Sequence, residues 1–387
     1  NSYRGDLFEF VRDHRFNATD PFARVDPAPG RRASDGLNRN QFGGTIGGPI
    51  RTDRIFFFGA YQRTRVRQQP ADLFAFVPTA EMLAGDFTTV ASAQCNATGN
   101  LTLRGPFVGN RISPSQFSPA ALRILERLPT STDPCGRVNY SRTRPEDEAQ
   151  YIGKVDVQIS STHSMFGRYM LTVPTSTPPL RLQPENILVS TLGGRDNRAH
   201  SLTIGDTMVL SNTVVNSLRV AANYTDIHRT HEPFGFSAPD VGVRTFSYLE
   251  KYMLLNITGG FNLGGGTESE ARFQTPSVSV NDDLTIVRGN HQFGIGGSVA
   301  YWKSLSRANV RSPGQFTFNG TITGLGLADF LTGNLFQYIQ AVPNTLDMEQ
   351  WYLGLYAQDT WKLSSRTTLN YGVRWEPGLA QQIRNGA

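Results

Sequence analysis

The sequence predicts an all-β chain, an antiparallel transmembrane β-barrel of the outer-membrane type, and it supplies about eleven strands, half of a 22-stranded barrel. Three observations predict it. Segments alternate apolar and polar residues, their connections are alternately very short and very long, and aromatic residues gather at segment ends. The short links centre on Pro49 to Asp53, Ser160 to His163, Asn212 to Thr213, Arg288 to Asn290 and Ser364 to Ser365. The long ones run from Asp13 to Arg39, Arg67 to Glu148, Thr172 to Arg198, His228 to Gln274 and Ser304 to Gln350. A soluble sandwich has no reason to collect every long loop at one end. An outer-membrane barrel does, because its tight turns face the periplasm and its long loops face outward.

Strands are expected near residues 3–12, 40–49, 54–66, 149–159, 164–171, 199–211, 214–227, 275–287, 291–303, 351–363 and 366–376. The second, within "FGGTIGGPI", is glycine-rich but has no helix after it, so it fails the context test for a phosphate loop. Its glycines suit close strand packing and the turn into Arg51 to Arg54. In the third, Arg63, Arg65 and Arg67 share one face. A charged residue facing mid-membrane lipid costs about 2–4 kcal/mol, so this stripe marks the lumen or the region above the membrane. In the fourth, Tyr151, Val155, Val157 and Ile159 oppose Ile152, Lys154, Asp156 and Gln158. The sixth sets Leu202, Ile204, Met208 and Leu210 against Ser201, Thr203, Gly205 and Thr207; the seventh sets Leu218, Val220, Ala222 and Tyr224 against Arg219, Ala221, Asn223 and Thr225. Side chains at period two point to opposite faces of a sheet, so one face is greasy and the other polar. Val278, Val280, Leu284 and Ile286, then Phe293, Ile295, Val299 and Tyr301, continue the pattern. The last hairpin repeats it with Leu353, Leu355, Ala357 and Trp361, then Leu369, Tyr371, Val373 and Trp375.

Two aromatic rings follow. Tyr61, Tyr169, Tyr224, Tyr301, Trp302, Trp351, Tyr352 and Trp375 neighbour the long connections, while Phe56, Phe57, Phe58, Phe166, Phe293 and Trp361 neighbour the short ones. A membrane interface selects such girdles, since amphipathic rings settle at headgroup depth. Arg63, Arg65, Lys154, Asp156, Arg219 and Arg374 are expected at the lumen or rim. Asp156, Asp206, Asp283 and Asp359 each precede a short turn by four to six positions, and Asp206 and Asp359 fall on the apolar parity. A structural role at the rim, where the cost of charge falls, is the expected reading.

The bulk numbers agree. No window of the 387 residues approaches the roughly 18 uninterrupted apolar residues of a membrane helix. The 38 glycines and 11% aromatics suit curved strands and girdles. The net charge of +5 comes from scattered arginines without a Lys/Arg block, so no nucleic-acid partner is expected. Those arginines are either ordinary solvated residues or a basic surface toward lipopolysaccharide or an anionic solute. Cys95 and Cys135 both lie in the longest loop, residues 67–148. They read as one disulfide stapling an exposed loop in an oxidising compartment, a free pair being the alternative, and two thiols are too few to hold a metal. His228 and His231 are close in sequence but lack further ligands, so no metal or other cofactor is expected. No catalytic constellation stands out, and no enzymatic role is expected. Ser118 to Leu128 reads as a short helix with Ser118 as cap, Pro119 at its first position and Leu122, Leu125 and Leu128 on one face.

"YRGDLFEFVRDHRFNA", "LNRNQFGGTIGGPIRTDRIFFFGAYQRTR", "VPTAEMLAGDF", "LADFLTG" and "LYAQDTWKLSSRTTLNYGVRWEP" occur in this order along nearly the whole chain. They resemble the Oar-like branch of TonB-dependent outer-membrane receptors, with "NQFGGTIGGPI…DRIFFFG" the most specific piece. The resemblance implies a 22-stranded barrel around an N-terminal plug, a TonB box, and import of a solute by plug gating. This chain is expected to be part of that barrel, residues 1–387, with the plug and TonB box upstream of it. The implied partners are outer-membrane lipid and lipopolysaccharide, the protein's own plug, TonB through the upstream part, and a solute the sequence does not name. Two rival readings stand beside it: a surface barrel serving structure, adhesion or secretion without import, and a secreted soluble β protein such as a lectin.

Overall fold

The structure is a computed structural model that describes residues 1–18, 21, 34, 36–68, 73–140 and 144–384. Parts of the two connections Asp13 to Arg39 and Arg67 to Glu148 therefore lie outside the described residues.

Eleven long strands form one antiparallel sheet in sequence order: β1 (Arg4–Asp13), β2 (Asn38–Arg51), β3 (Ile55–Gln68), β4 (Arg144–Ser160), β5 (His163–Ser176), β6 (Gly194–Ser211), β7 (Val214–Thr230), β8 (Ala271–Arg288), β9 (His291–Ala308), β10 (Asn344–Lys362) and β11 (Thr368–Trp375). A short strand, Gln382–Ile383, pairs with β10 beyond the end of β11. Alternate connections are tight, and Asp53 and Gly289 take left-handed conformations in two of them, with φ of 63° and 60°. The glycines of β2 allow close approach: a Cβ on Gly43 would stand 2.2 Å from the Tyr61 carbonyl oxygen, and one on Gly48 would meet the Tyr3 ring at 2.4 Å.

Register separates the faces. Tyr169, Leu202, Ala222, Val278, Tyr301 and Trp351 stand opposite one another across six strands. One residue along, Arg168, Thr203, Ala221, Ser279, Ala300 and Tyr352 form the companion row. On the first face Leu202, Val278 and Trp351 are 41%, 48% and 54% exposed. An apolar face this extensive, with no protein over it, is the lipid-contacting surface of a barrel wall. No helix among the described residues is long and apolar enough to cross a membrane; the crossing is made by strands. These are long: β10 has 19 residues, about 60 Å of path, where about 9–11 residues suffice to cross. The surplus projects the sheet past the membrane at its long-loop end.

The apolar cluster of the molecule lies there, not in the sheet. It draws residues from four long connections: Val77, Phe87 and Ile124 after β3; Ile187 and Leu188 after β5; Tyr252, Leu255 and Phe261 after β7; Phe318, Phe330 and Leu331 after β9. Segments from different connections interlock. Leu254–Ile257 pairs in parallel with Gln315–Phe318, and Phe261 packs edge-on against Phe330 at 5.5 Å. The connections therefore make one folded cap with a shared core. Cys95 and Cys135 are joined by a disulfide within it, their Cα atoms 5.3 Å apart.

The helix of the longest connection spans Pro119–Leu125, with Pro119 at its first position. Two expectations about it are corrected. Ser118 makes no side-chain cap; its backbone N–H instead donates to the Leu331 carbonyl. Of the expected leucine face, Leu125 and Leu128 pack against the cap core, but Leu122 is 39% exposed and the helix buries Ala121 and Ile124 instead.

Candidate functional site

A cleft of about 400 Å³ opens on the polar face, on the extended parts of β2 to β6 at the long-loop end. Its floor is laid by register. One row runs Arg39, Val66, Glu146, Ser176, Arg195, one residue per strand from β2 to β6. The next row inward runs Gln41, Thr64, Glu148, Pro174. Two glutamates thus occupy the centre, flanked two strands away on each side by an arginine. Thr64 is only 9% exposed and lines the cleft, and the Ser176 hydroxyl is buried and unpaired among the described residues. Glu148 makes no ion pair among the described residues, while Arg195 approaches Glu268 at 3.5 Å.

The opposite face of the sheet is braced by ion pairs. Asp147 accepts hydrogen bonds from Arg67 at 2.7 Å and Arg63 at 3.2 Å. The Arg67 guanidinium, helped by Arg63, holds the Asp147 carboxyl below the usual carboxylate range. Asp226 takes a two-pronged contact from Arg272, at 2.6 and 3.0 Å, and its carboxyl is lowered in the same way. These braces lie beyond the aromatic row, where strands leave the membrane.

The expected site residues distribute as follows. Tyr61, Tyr169, Tyr224, Tyr301, Trp351 and Trp375 stand on the apolar face near the long-loop end. Tyr352 does not: it stands on the polar face, where its hydroxyl donates to Glu376 at 2.8 Å and accepts from Arg374 at 2.9 Å. At the short-turn end Phe293 and Trp361 stand on the apolar face, but Phe56, Phe58 and Phe166 share the polar face with Lys154, Asp156 and Arg168. These three are corrected from girdle to interior residues; Lys154 lies over the Phe166 ring at 5.2 Å and pairs with Asp156 at 2.6 Å. Arg219 approaches Asp283 at 3.6 Å on the polar face. Arg63 and Arg65 carry the parity of Tyr61, so they belong to the outer rim above it and not to the polar interior.

A recurring contact at the short-turn end is only half visible in the sequence. His163 bonds Asp206 at 2.6 Å, Asn216 donates to Asp282 at 2.8 Å, and His291 bonds Asp359 at 2.6 Å. In each, the donor faces the residue two past its aspartate: Met208, Leu284 and Trp361. All three join successive hairpins at the end where no turn connects them. Asp206 and Asp359 were recognisable from their parity; Asp282, not Asp283, completes the set. The signal that could have found the partners is positional, since His163 and His291 each open the strand after a tight turn. Asp359, 4% exposed, also accepts from Tyr371 at 2.8 Å. Removing the carboxylate strands two donors. Asp359→Ala in the full-length protein is expected to lower, by several degrees, the temperature at which the folded gel band converts to the unfolded one, with Asp359→Asn intermediate.

A wall of antiparallel hairpins, apolar outside and polar inside, with tight turns at one end and a folded cap at the other, defines an outer-membrane β-barrel protein. The family of outer membrane beta barrel domains matches residues 1–386, and the chain belongs to it. Its place is the outer membrane of a Gram-negative bacterium. Among solved structures it is similar to the outer membrane transporter YddB from Escherichia coli, at 12% identity and a TM-score of 0.52, over 98% of this chain and 40% of that one. It also matches the siderophore receptor PirA from Acinetobacter baumannii, at 10% identity and a TM-score of 0.45, over 99% of this chain and 40% of that one. The ferric enterobactin receptor PfeA from Pseudomonas aeruginosa matches at 11% identity and a TM-score of 0.45, over 97% of this chain and 39% of that one. The chain thus spans about two fifths of the length of these proteins. No curated protein matches its sequence.

Proposed function

We propose that this chain is the cap-bearing barrel segment of a TonB-dependent outer-membrane transporter. The long-loop end faces outward, the cap and the polar cleft at that end take up a solute, and a plug held inside the completed barrel admits it when TonB pulls. The observation that carries this reading is the folded cap: four connections share one hydrophobic core at the long-loop end, where the interior face also carries a charged cleft. A barrel that only anchored or decorated the surface would have no need of an organised polar cleft at its capped end. The chemistry is binding and gating, which needs shape, charge and a moving part and no covalent step.

The test is retention of the full-length protein, extracted in detergent, by the immobilised periplasmic domain of TonB. Retention is expected, with loss when the segment upstream of the barrel is removed. A barrel that runs as a folded, heat-modifiable band yet shows no retention would sink the import reading and leave the surface-structural one.

A further inference from the structure

We propose that the cleft selects zwitterionic solutes of short-peptide size, seating their ammonium group on Glu148 and their carboxylate on Arg39 or Arg195. The inference rests on the transport reading above and adds the class of cargo.

The argument is one of charge order and spacing. Adjacent strands lie about 4.8 Å apart, so each arginine of the row, two strands from β4, stands about 10 Å from the central glutamates. A tripeptide in extended form spans about 10 Å between its charged ends. Glu148 makes no ion pair among the described residues, and a carboxylate so placed at the centre of the cleft favours a cation beside it. A purely anionic solute would be met by those glutamates at the middle of the cleft. A neutral sugar would leave both signs of charge unanswered.

A second, independent observation marks the same spot. Thr64, in register with Glu148, is 9% exposed and lines the cleft. The Ser176 hydroxyl, in register with Glu146, lines the same cleft and is buried without a partner among the described residues. Buried hydroxyls without partners are costly and uncommon in a finished structure. An ammonium group carries three donors in one compact head, and a hydroxyl oxygen beside a carboxylate is a natural acceptor for the second of them. The cleft, at about 400 Å³, falls within the size range of small-molecule sites.

The experiment is calorimetric titration of the detergent-extracted full-length protein with trialanine, N-acetyl-trialanine, trialanine amide, maltotriose and citrate. Trialanine is expected to bind, and acetylation of its amine to weaken binding at least tenfold. Glu148→Gln should reproduce that loss, and should no longer distinguish the free from the acetylated peptide. Arg39→Met or Arg195→Met should reproduce the effect of amidation, and Thr64→Val should weaken trialanine severalfold. Unchanged heat-modifiability of each variant excludes misfolding as the cause. Equal binding of free and acetylated peptide, or indifference to Glu148→Gln, would overturn the proposal. So would binding of maltotriose or citrate in place of trialanine, which would leave the transport reading standing. Binding of none of the five by protein that TonB still retains would also overturn the cargo class alone.

Discussion

Phe261→Ala is expected to unfasten the cap without loosening the barrel. Phe261 is 2% exposed and belongs to the connection after β7, yet its ring packs on Phe330 from the connection after β9. Truncating a buried phenylalanine costs about 3–5 kcal/mol through lost burial and the cavity left behind. That cost falls on the cap, because the cluster Phe261 joins contains no residue of the sheet strands. Local opening governs cleavage when reclosing is fast, so the loss converts to a roughly hundredfold or greater rise in tryptic cutting within the connections. The barrel wall draws its stability from strand pairing and lipid, and its heat-modified gel band should not move. A band that shifts together with the cleavage rate would show that cap and wall unfold as one unit.

The second large effect is expected from the Cys95–Cys135 bond. It closes a loop of 40 residues, for which the chain-entropy account gives about 4 kcal/mol. Partly buried Cys95 packs against the cap core, so the bond fastens the tip of the longest connection to the shared cluster. Cys95→Ser with Cys135→Ser, or reduction of the native protein, should raise cleavage between residues 87 and 138 by two or more orders of magnitude. The segments after β7 and β9 should respond less. Uniform loss of protection across all four connections would mean that the bond supports the whole cap and not its own loop alone.

The wall was legible because period two is a local signal. Leu202, Ile204 and Met208 declare their face within seven residues, and tight links such as Asn212 to Thr213 fix where the next strand starts. Parity could have taken the reading further. Phe56 and Phe58 differ in parity from Tyr61, and Tyr352 differs from Trp351, so their polar-face positions were written in the same count. Distance from the strand end does not separate them, since girdles share it with interior aromatics. The strand ends were read short because polar residues such as Asp347 and Arg272 look like loop, although beyond the membrane a strand has no cause to be greasy. The cap was not legible at all. Its apolar residues follow no period, and partners such as Leu255 and Phe316 are brought together only by the folded sheet below. The cleft shares that fate, since its five-residue row takes one side chain from each of five strands.

The shared core of the cap also dictates an order of events. Its members reach from Ala75 to Leu331, so it cannot close until the hairpin that carries β9 and the strand that follows have taken their places. Each hairpin of the wall, by contrast, needs only its neighbour, and the bond between Cys95 and Cys135 needs only its own connection. Contacts so distant along the chain form late, after the short-range ones have shortened the search. During insertion, then, the strands register first while the apolar residues of four unfinished connections stay uncovered at the surface. That interval is when this protein is most open to proteolysis and to aggregation with its own copies.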